Sequence, residues 1–94
     1  MVGLVKSRRD EILSVARRHG VTRVQVFGSM ARGDAGPTSD LDLLVDVGPN
    51  TTPWFPGGLV AELESLLGRR VQVVTERGLD EILRDHVLQE AVPL

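Results

Sequence analysis

Ninety-four residues, 41% of them hydrophobic, suffice for one domain around one core and leave no room for a second, substrate-binding domain. Eleven basic against thirteen acidic residues give a formal charge of -2, and one tryptophan and two phenylalanines are the only aromatics, which excludes a broad basic face or a base-stacking platform for nucleic acid. No cysteine is present, so neither disulfides nor thiolate metal sites hold the fold, and a reducing cytoplasm is compatible.

The opening "MVGLVKSRRDEIL" carries charges every few residues where a signal peptide needs an unbroken apolar stretch. No run along the chain is apolar enough to span a bilayer, so a soluble, cytoplasmic protein is expected. From Leu4 to His19, Val5, Ile12, Leu13 and Ala16 recur at helical spacing among basic residues, and Gly20 stands where a helix closes. "VTRVQVF", Val21 to Phe27, alternates Val24 and Val26 with Arg23 and Gln25, the pattern of a strand ended by Gly28. A short helix over Ser-Met-Ala-Arg follows.

"LDLLVDV", Leu41 to Val47, predicts a second strand, and "GPNTTPWFPGG", Gly48 to Gly58, predicts a loop rich in proline and glycine. Leu59, Leu63, Leu66 and Leu67 mark a helix stopped by Gly68, "RVQVVT" from Arg70 to Thr75 a third strand, and Leu79, Ile82, Leu83 and Val87 a last helix running towards Pro93. The element order implies an α/β (α+β) fold: a small mixed β-sheet of three strands flanked by helices, in one domain over residues 1–94. So small a domain is stable by a narrow margin and gains from a partner or from a second copy of itself, so homo-oligomerisation is an open expectation.

The chemistry sits in "VFGSMARGDAGPTSDLDLLV", Val26 to Val45. Asp40 and Asp42 are two apart entering a strand, so their side chains leave the sheet on the same face, with Cα atoms about 7 Å apart, while Leu41 and Leu43 point into the core. Two carboxylates at that spacing repel unless a cation lies between them, and a hard divalent ion such as Mg²⁺ takes oxygen ligands. An acid pair alone is also an ordinary surface feature, but here a phosphate cradle stands beside it. Gly28 follows the strand directly, and Ser29 opens a helical turn whose first N–H groups and hydroxyl suit phosphate oxygens. Arg32, one turn on, adds a fork of donors for the same anion. No G-K-[ST] follows, so the stretch is neither a Walker loop nor a dinucleotide turn.

"GSMARGDAGPTSDLDLLV" resembles the signature of the minimal nucleotidyltransferase family, a branch of the DNA polymerase beta-like superfamily, and the similarity continues through "RRVQVVTERGLDEIL" and "LQEAVPL". The resemblance implies a polymerase beta-like fold that takes ATP or another nucleoside triphosphate with Mg²⁺, in a two-ion site, and transfers the nucleotidyl group to a hydroxyl with release of pyrophosphate. It assigns Asp40 and Asp42 as catalytic Mg²⁺ ligands, Gly28 and Ser29 as triphosphate ligands, and Arg32 and Ser39 as supports. Many such proteins are antitoxins paired with a HEPN-domain ribonuclease toxin, and some adenylylate a tyrosine of that toxin.

The superfamily also has a third carboxylate on a neighbouring strand, and the matching position here is Gln72. Glutamine keeps a carbonyl oxygen that can touch a cation, but it has no charge and cannot act as a base at neutral pH. Asp46 and Glu76 share the facing parity of the site but lie four residues along their strands, about 13 Å away, and Asp34 is expected to be exposed. Two functions therefore stand: a nucleotidyltransferase, or an antitoxin that occupies its toxin and keeps the nucleotide cradle as a relic or sensor. His19 and His86 read as boundary or surface residues. Trp54 and Phe55, set between prolines, fill a gap in the core, cap a base or anchor a partner.

Overall fold

The computed structural model describes residues 3–94. In chain order the elements are α1 (Gly3–Ser7), α2 (Arg9–Arg18), β1 (Val21–Phe27), α3 (Ser29–Arg32), β2 (Leu41–Val47), α4 (Gly57–Leu67), β3 (Val71–Thr75), a 3-10 turn (Glu76–Gly78), α5 (Glu81–Glu90) and β4 (Val92–Pro93). The strands form one mixed sheet in the order β3-β2-β1-β4. β1 pairs antiparallel with both β2 and β4, and β2 pairs parallel with β3, α4 being the crossover that a parallel pair requires.

Register decides which face is apolar. Val24 lies opposite Val45 and Val26 opposite Leu43, so these side chains share one face. That face packs with Val5 of α1, Ile12, Val15 and Ala16 of α2, and Leu59, Leu63 and Leu67 of α4 in one buried cluster. Leu44, of opposite parity, and Val87 of α5 are buried outside this cluster. Leu41, Leu43 and Val45 of β2 are thus committed to the core, which sends Asp42 to the other face.

The structure corrects the expected boundaries in four places. The first helix is interrupted at Arg8, whose backbone leaves helical geometry (φ -111°, ψ 15°). Arg8 N–H still donates to the Leu4 carbonyl and the Arg8 carbonyl accepts from Ile12, so helical hydrogen bonds continue across the break. α4 begins at Gly57, inside the stretch expected to be loop, because first-turn N–H groups need no helical acceptor and Gly58 passes close to His19, where an added Cβ would lie 3.3 Å from the ring. α5 begins at Glu81, because the Asp80 carboxylate accepts from the N–H groups of Ile82 and Leu83 at 3.1 and 3.0 Å, a side-chain N-cap. The sheet has a fourth strand, β4, of only two residues, too short to leave an alternating pattern.

His19 caps α2 and ties three elements together: Nδ1 meets Thr52 Oγ1 at 2.8 Å and Nε2 meets Glu62 Oε1 at 2.9 Å, while Arg18 also pairs with Glu62. The hydrogen bond to His19, followed by that to Arg18, holds the Glu62 carboxyl below its usual range. Phe55 packs partly against the core, whereas Trp54 is 91% exposed with φ at +65°; the core-filling role belongs to Phe55 alone. No helix among the described residues is long and apolar enough to cross a membrane.

Candidate active site

Three strands meet at Asp42. Phe27 lies opposite it on β1 and Gln72 opposite it on β3, so Phe27, Asp42 and Gln72 stand side by side on the face turned away from α2 and α4. Asp40 immediately precedes β2 and is exposed, while Asp42 is half-buried. Gln72 sits on the edge strand and is also exposed. Asp40 stands one residue before β2 and Asp42 is its second residue.

Gly28 is what lets the Asp42 carboxylate sit where it does. Its backbone is at φ +75°, ψ -156°, a region that only glycine occupies readily. A Cβ built on it would lie 2.3 Å from Asp42 Oδ2. The carboxylate therefore rests in the space that a side chain would fill, directly over the corner where β1 turns into α3. There the Gly28 carbonyl accepts from the N–H groups of Ala31 and Arg32 at 3.0 and 3.1 Å, and Ser29 and Met30, at the first turn, have no helical acceptor for theirs.

Burial raises the Asp42 carboxyl above its usual range, first of all; Asp40 and then Glu90 add to the rise, and Arg32 opposes it. An acid that holds its proton more tightly in the fold than in the unfolded chain costs stability as pH rises through and beyond the ordinary carboxylate range. Asp42→Asn is accordingly expected to raise the melting midpoint by a few degrees at pH 7 in chelator, with the gain vanishing at pH 3, where both side chains are neutral. A midpoint at pH 7 unchanged or lowered would contradict this account of the site.

The remaining expected site residues are placed as follows. Arg32 donates Nε to Asp34 Oδ2 at 3.1 Å and Nη1 to Glu90 Oε1, and these two hydrogen bonds, Asp34 first, raise its affinity for its proton further. Ser39 braces its loop: its hydroxyl accepts from the Gly36 N–H at 2.8 Å and its carbonyl from Arg69 Nη1 at 2.9 Å. Asp34 is exposed as expected. Asp46 belongs elsewhere, in a shallow groove with Thr75, Glu76, Arg77 and Arg84. His86 is largely exposed and lies 3.6 Å from Glu90. The sequence reading did not find Arg69 or Glu90, each of which acts on a residue 30 or 58 positions away.

Asp40, Asp42 and Gln72, which is in register with Asp42, offer only hard oxygen donors toward a cation, a chemistry that suits a hard divalent ion. Among the described residues no three histidine or acidic side chains converge closely enough to hold a metal by themselves, so further ligands would be the oxygens of a bound nucleotide and water.

Residues 9–92 match the nucleotidyltransferase domain family. The chain belongs to that family. A relative from Methanocaldococcus jannaschii named as a protein adenylyltransferase is 39% identical over 84 residues, spanning 89% of this chain and 90% of its own. A solved structure of a minimal nucleotidyltransferase is 51% identical, covers 96% of this chain and 92% of its own, and superposes with a TM-score of 0.83. A complex of an AMPylated HEPN toxin with its MNT antitoxin from Shewanella oneidensis contains a chain 19% identical, with 94% of this chain and 69% of that one covered and a TM-score of 0.70, a likeness of fold. The nucleotidyltransferase domain thus keeps the mixed sheet and flanking helices of its relatives, with the Gly28 corner and Asp42 facing each other across adjacent strands.

Proposed function

We propose that residues 1–94 act as one domain that transfers AMP from ATP to a hydroxyl on a partner protein, with Mg²⁺ at Asp40 and Asp42, as the antitoxin of a HEPN-type toxin. The observation that carries this reading is the Asp42 carboxylate seated on Gly28, at the first turn of α3. The adenylyltransferase name of the M. jannaschii relative and the AMPylated toxin in the Shewanella complex support the acceptor class. The chain's size supports it too, because a small domain occupied with a triphosphate has little surface left to enclose a small-molecule acceptor.

In the reaction the acceptor oxygen bonds to the α-phosphorus, the bond from that phosphorus to the bridging oxygen breaks, and pyrophosphate leaves with the electron pair. When bound, divalent ions lower the pKa of the attacking hydroxyl and offset charge on the leaving phosphates. Asp40 and Asp42 would hold the cations; Gly28 and Ser29 receive phosphate oxygens; Arg32 offers its remaining Nη2 donors to the same anion. The hydroxyl proton leaves to solvent or to a partner group, since Gln72 cannot take it.

The register of Gln72 with Asp42 favours a second reading, an antitoxin that inhibits by occupying its toxin. Incubation with α-labelled ATP, Mg²⁺ and the cognate toxin is expected to label the toxin, and Asp40→Ala and Asp42→Ala to abolish the label. No transfer, together with inhibition that survives Asp42→Ala, would establish the binding module instead.

A further inference from the structure

We propose that Glu90 is a positioning residue that aims Arg32 at the triphosphate, an inference that rests on the reading of the Gly28 corner as a nucleotide cradle. Arg32 is held on two sides, by Asp34 at Nε and by Glu90 at Nη1. Among the described residues its Nη2, which lies between those two anchored nitrogens on the guanidinium rim, has no acceptor and is the group left to meet a ligand.

The two carboxylates are not equal anchors. The Asp34 side chain is exposed on its loop, whereas that of Glu90 is only 12% exposed. Glu90 is the last residue of α5, and Ala91 leads into β4, where Val92 pairs with Val26 two residues before Gly28. The Leu94 N–H donates to the Val24 carbonyl at 3.0 Å and fixes the same segment. The Glu90 carboxylate is therefore indexed to the strand that carries the cradle, and through it so is Arg32. A free arginine side chain loses rotamer entropy on being fixed, and ordering it before the ligand arrives removes that cost from binding. A latch that merely sequesters Arg32 predicts the opposite sign when Glu90 is neutralised.

The test measures binding of AMP-PNP with Mg²⁺ to the full chain by calorimetry, alongside KM for ATP and kcat with the toxin. Glu90→Gln is expected to weaken AMP-PNP binding about five- to tenfold and to raise KM with kcat nearly unchanged. In the Arg32→Ala background the same substitution is expected to add no further loss, because the positioning that Glu90 supplies passes through Arg32. Equal or tighter binding by E90Q overturns the proposal, and so does an equal loss with or without Arg32. If E90Q melts well below the wild type, Asp34→Asn at the exposed partner decides: weaker binding supports an aimed Arg32, and unchanged or tighter binding overturns it. Wild-type protein that binds no AMP-PNP overturns the nucleotide cradle itself; wild-type binding with an indifferent E90Q overturns only the role of Glu90.

Discussion

Gly28→Ala is expected to lower transfer to the partner protein by about a hundredfold, the scale at which a displacement of about 1 Å affects catalysis. Two costs fall on this one methyl group. The backbone at φ +75°, ψ -156° disfavours any side chain by about 1–3 kcal/mol, and the added Cβ would lie 2.3 Å from Asp42 Oδ2, so the carboxylate must leave its seat. The first cost is to stability and the second to chemistry. Gly33 separates them: it too has positive φ, at +83°, but a Cβ there meets nothing within 4 Å. Gly33→Ala is expected to lower the melting midpoint while retaining most of the transfer. Equal rates for the two variants, each measured below its own melting range, would show that the seat of Asp42 on Gly28 has no part in the reaction.

Gln72→Asp is expected to raise transfer by more than tenfold, part of the roughly 10²–10⁴ that a well-positioned general base contributes. The substitution places a carboxylate on β3 beside Asp42, in register with it and on the same face. It also adds negative charge where the Asp42 carboxyl is already pushed up by burial and by Asp40, so the gain should require divalent cation. In chelator the same variant is expected to melt earlier than the wild type, as like charges in one site do. An unchanged rate with Mg²⁺ would place Gln72 outside the chemistry. A rate that rises without any dependence on Asp42 would separate it from the cation ligands.

The strands and the acid pair were legible because their signals are local. Alternation in Val21 to Phe27 and Leu41 to Val47 reports one buried face, and a period of two places Asp40 and Asp42 together without knowledge of any neighbour. Gly28 was visible as a strand stop, but its positive φ and the carboxylate resting on it depend on how β1 and β2 are registered. Arg8 was hidden because nothing in its side chain opposes a helix; Val5 of α1 and Ile12 of α2, on either side of it, both join the core. β4 and Glu90 were illegible for a different reason. A two-residue strand has no periodicity, and Glu90 acquires its meaning only when β4 brings it to Arg32 across the sheet. His19 read as a boundary residue, and it is one, but the sequence did not show that Thr52 and Glu62 would close on both ring nitrogens.

β1 is gripped from both sides, by β2 along most of its length and by β4 at Gln25 and Val26, and these two pairings differ greatly in how far apart their residues lie in the chain. A growing polypeptide that has left the ribosome as far as Gly68 already contains β1, β2 and α4, and so can bring Asp42 over Gly28. Arg32 has no such early partner, since Glu90 emerges later and must close a loop around the whole domain before it arrives. Asp42 thus reaches Gly28 by closing a loop of about fourteen residues, whereas the Arg32–Glu90 pair spans 58, so the second is the costlier closure and the first to open when the fold loosens.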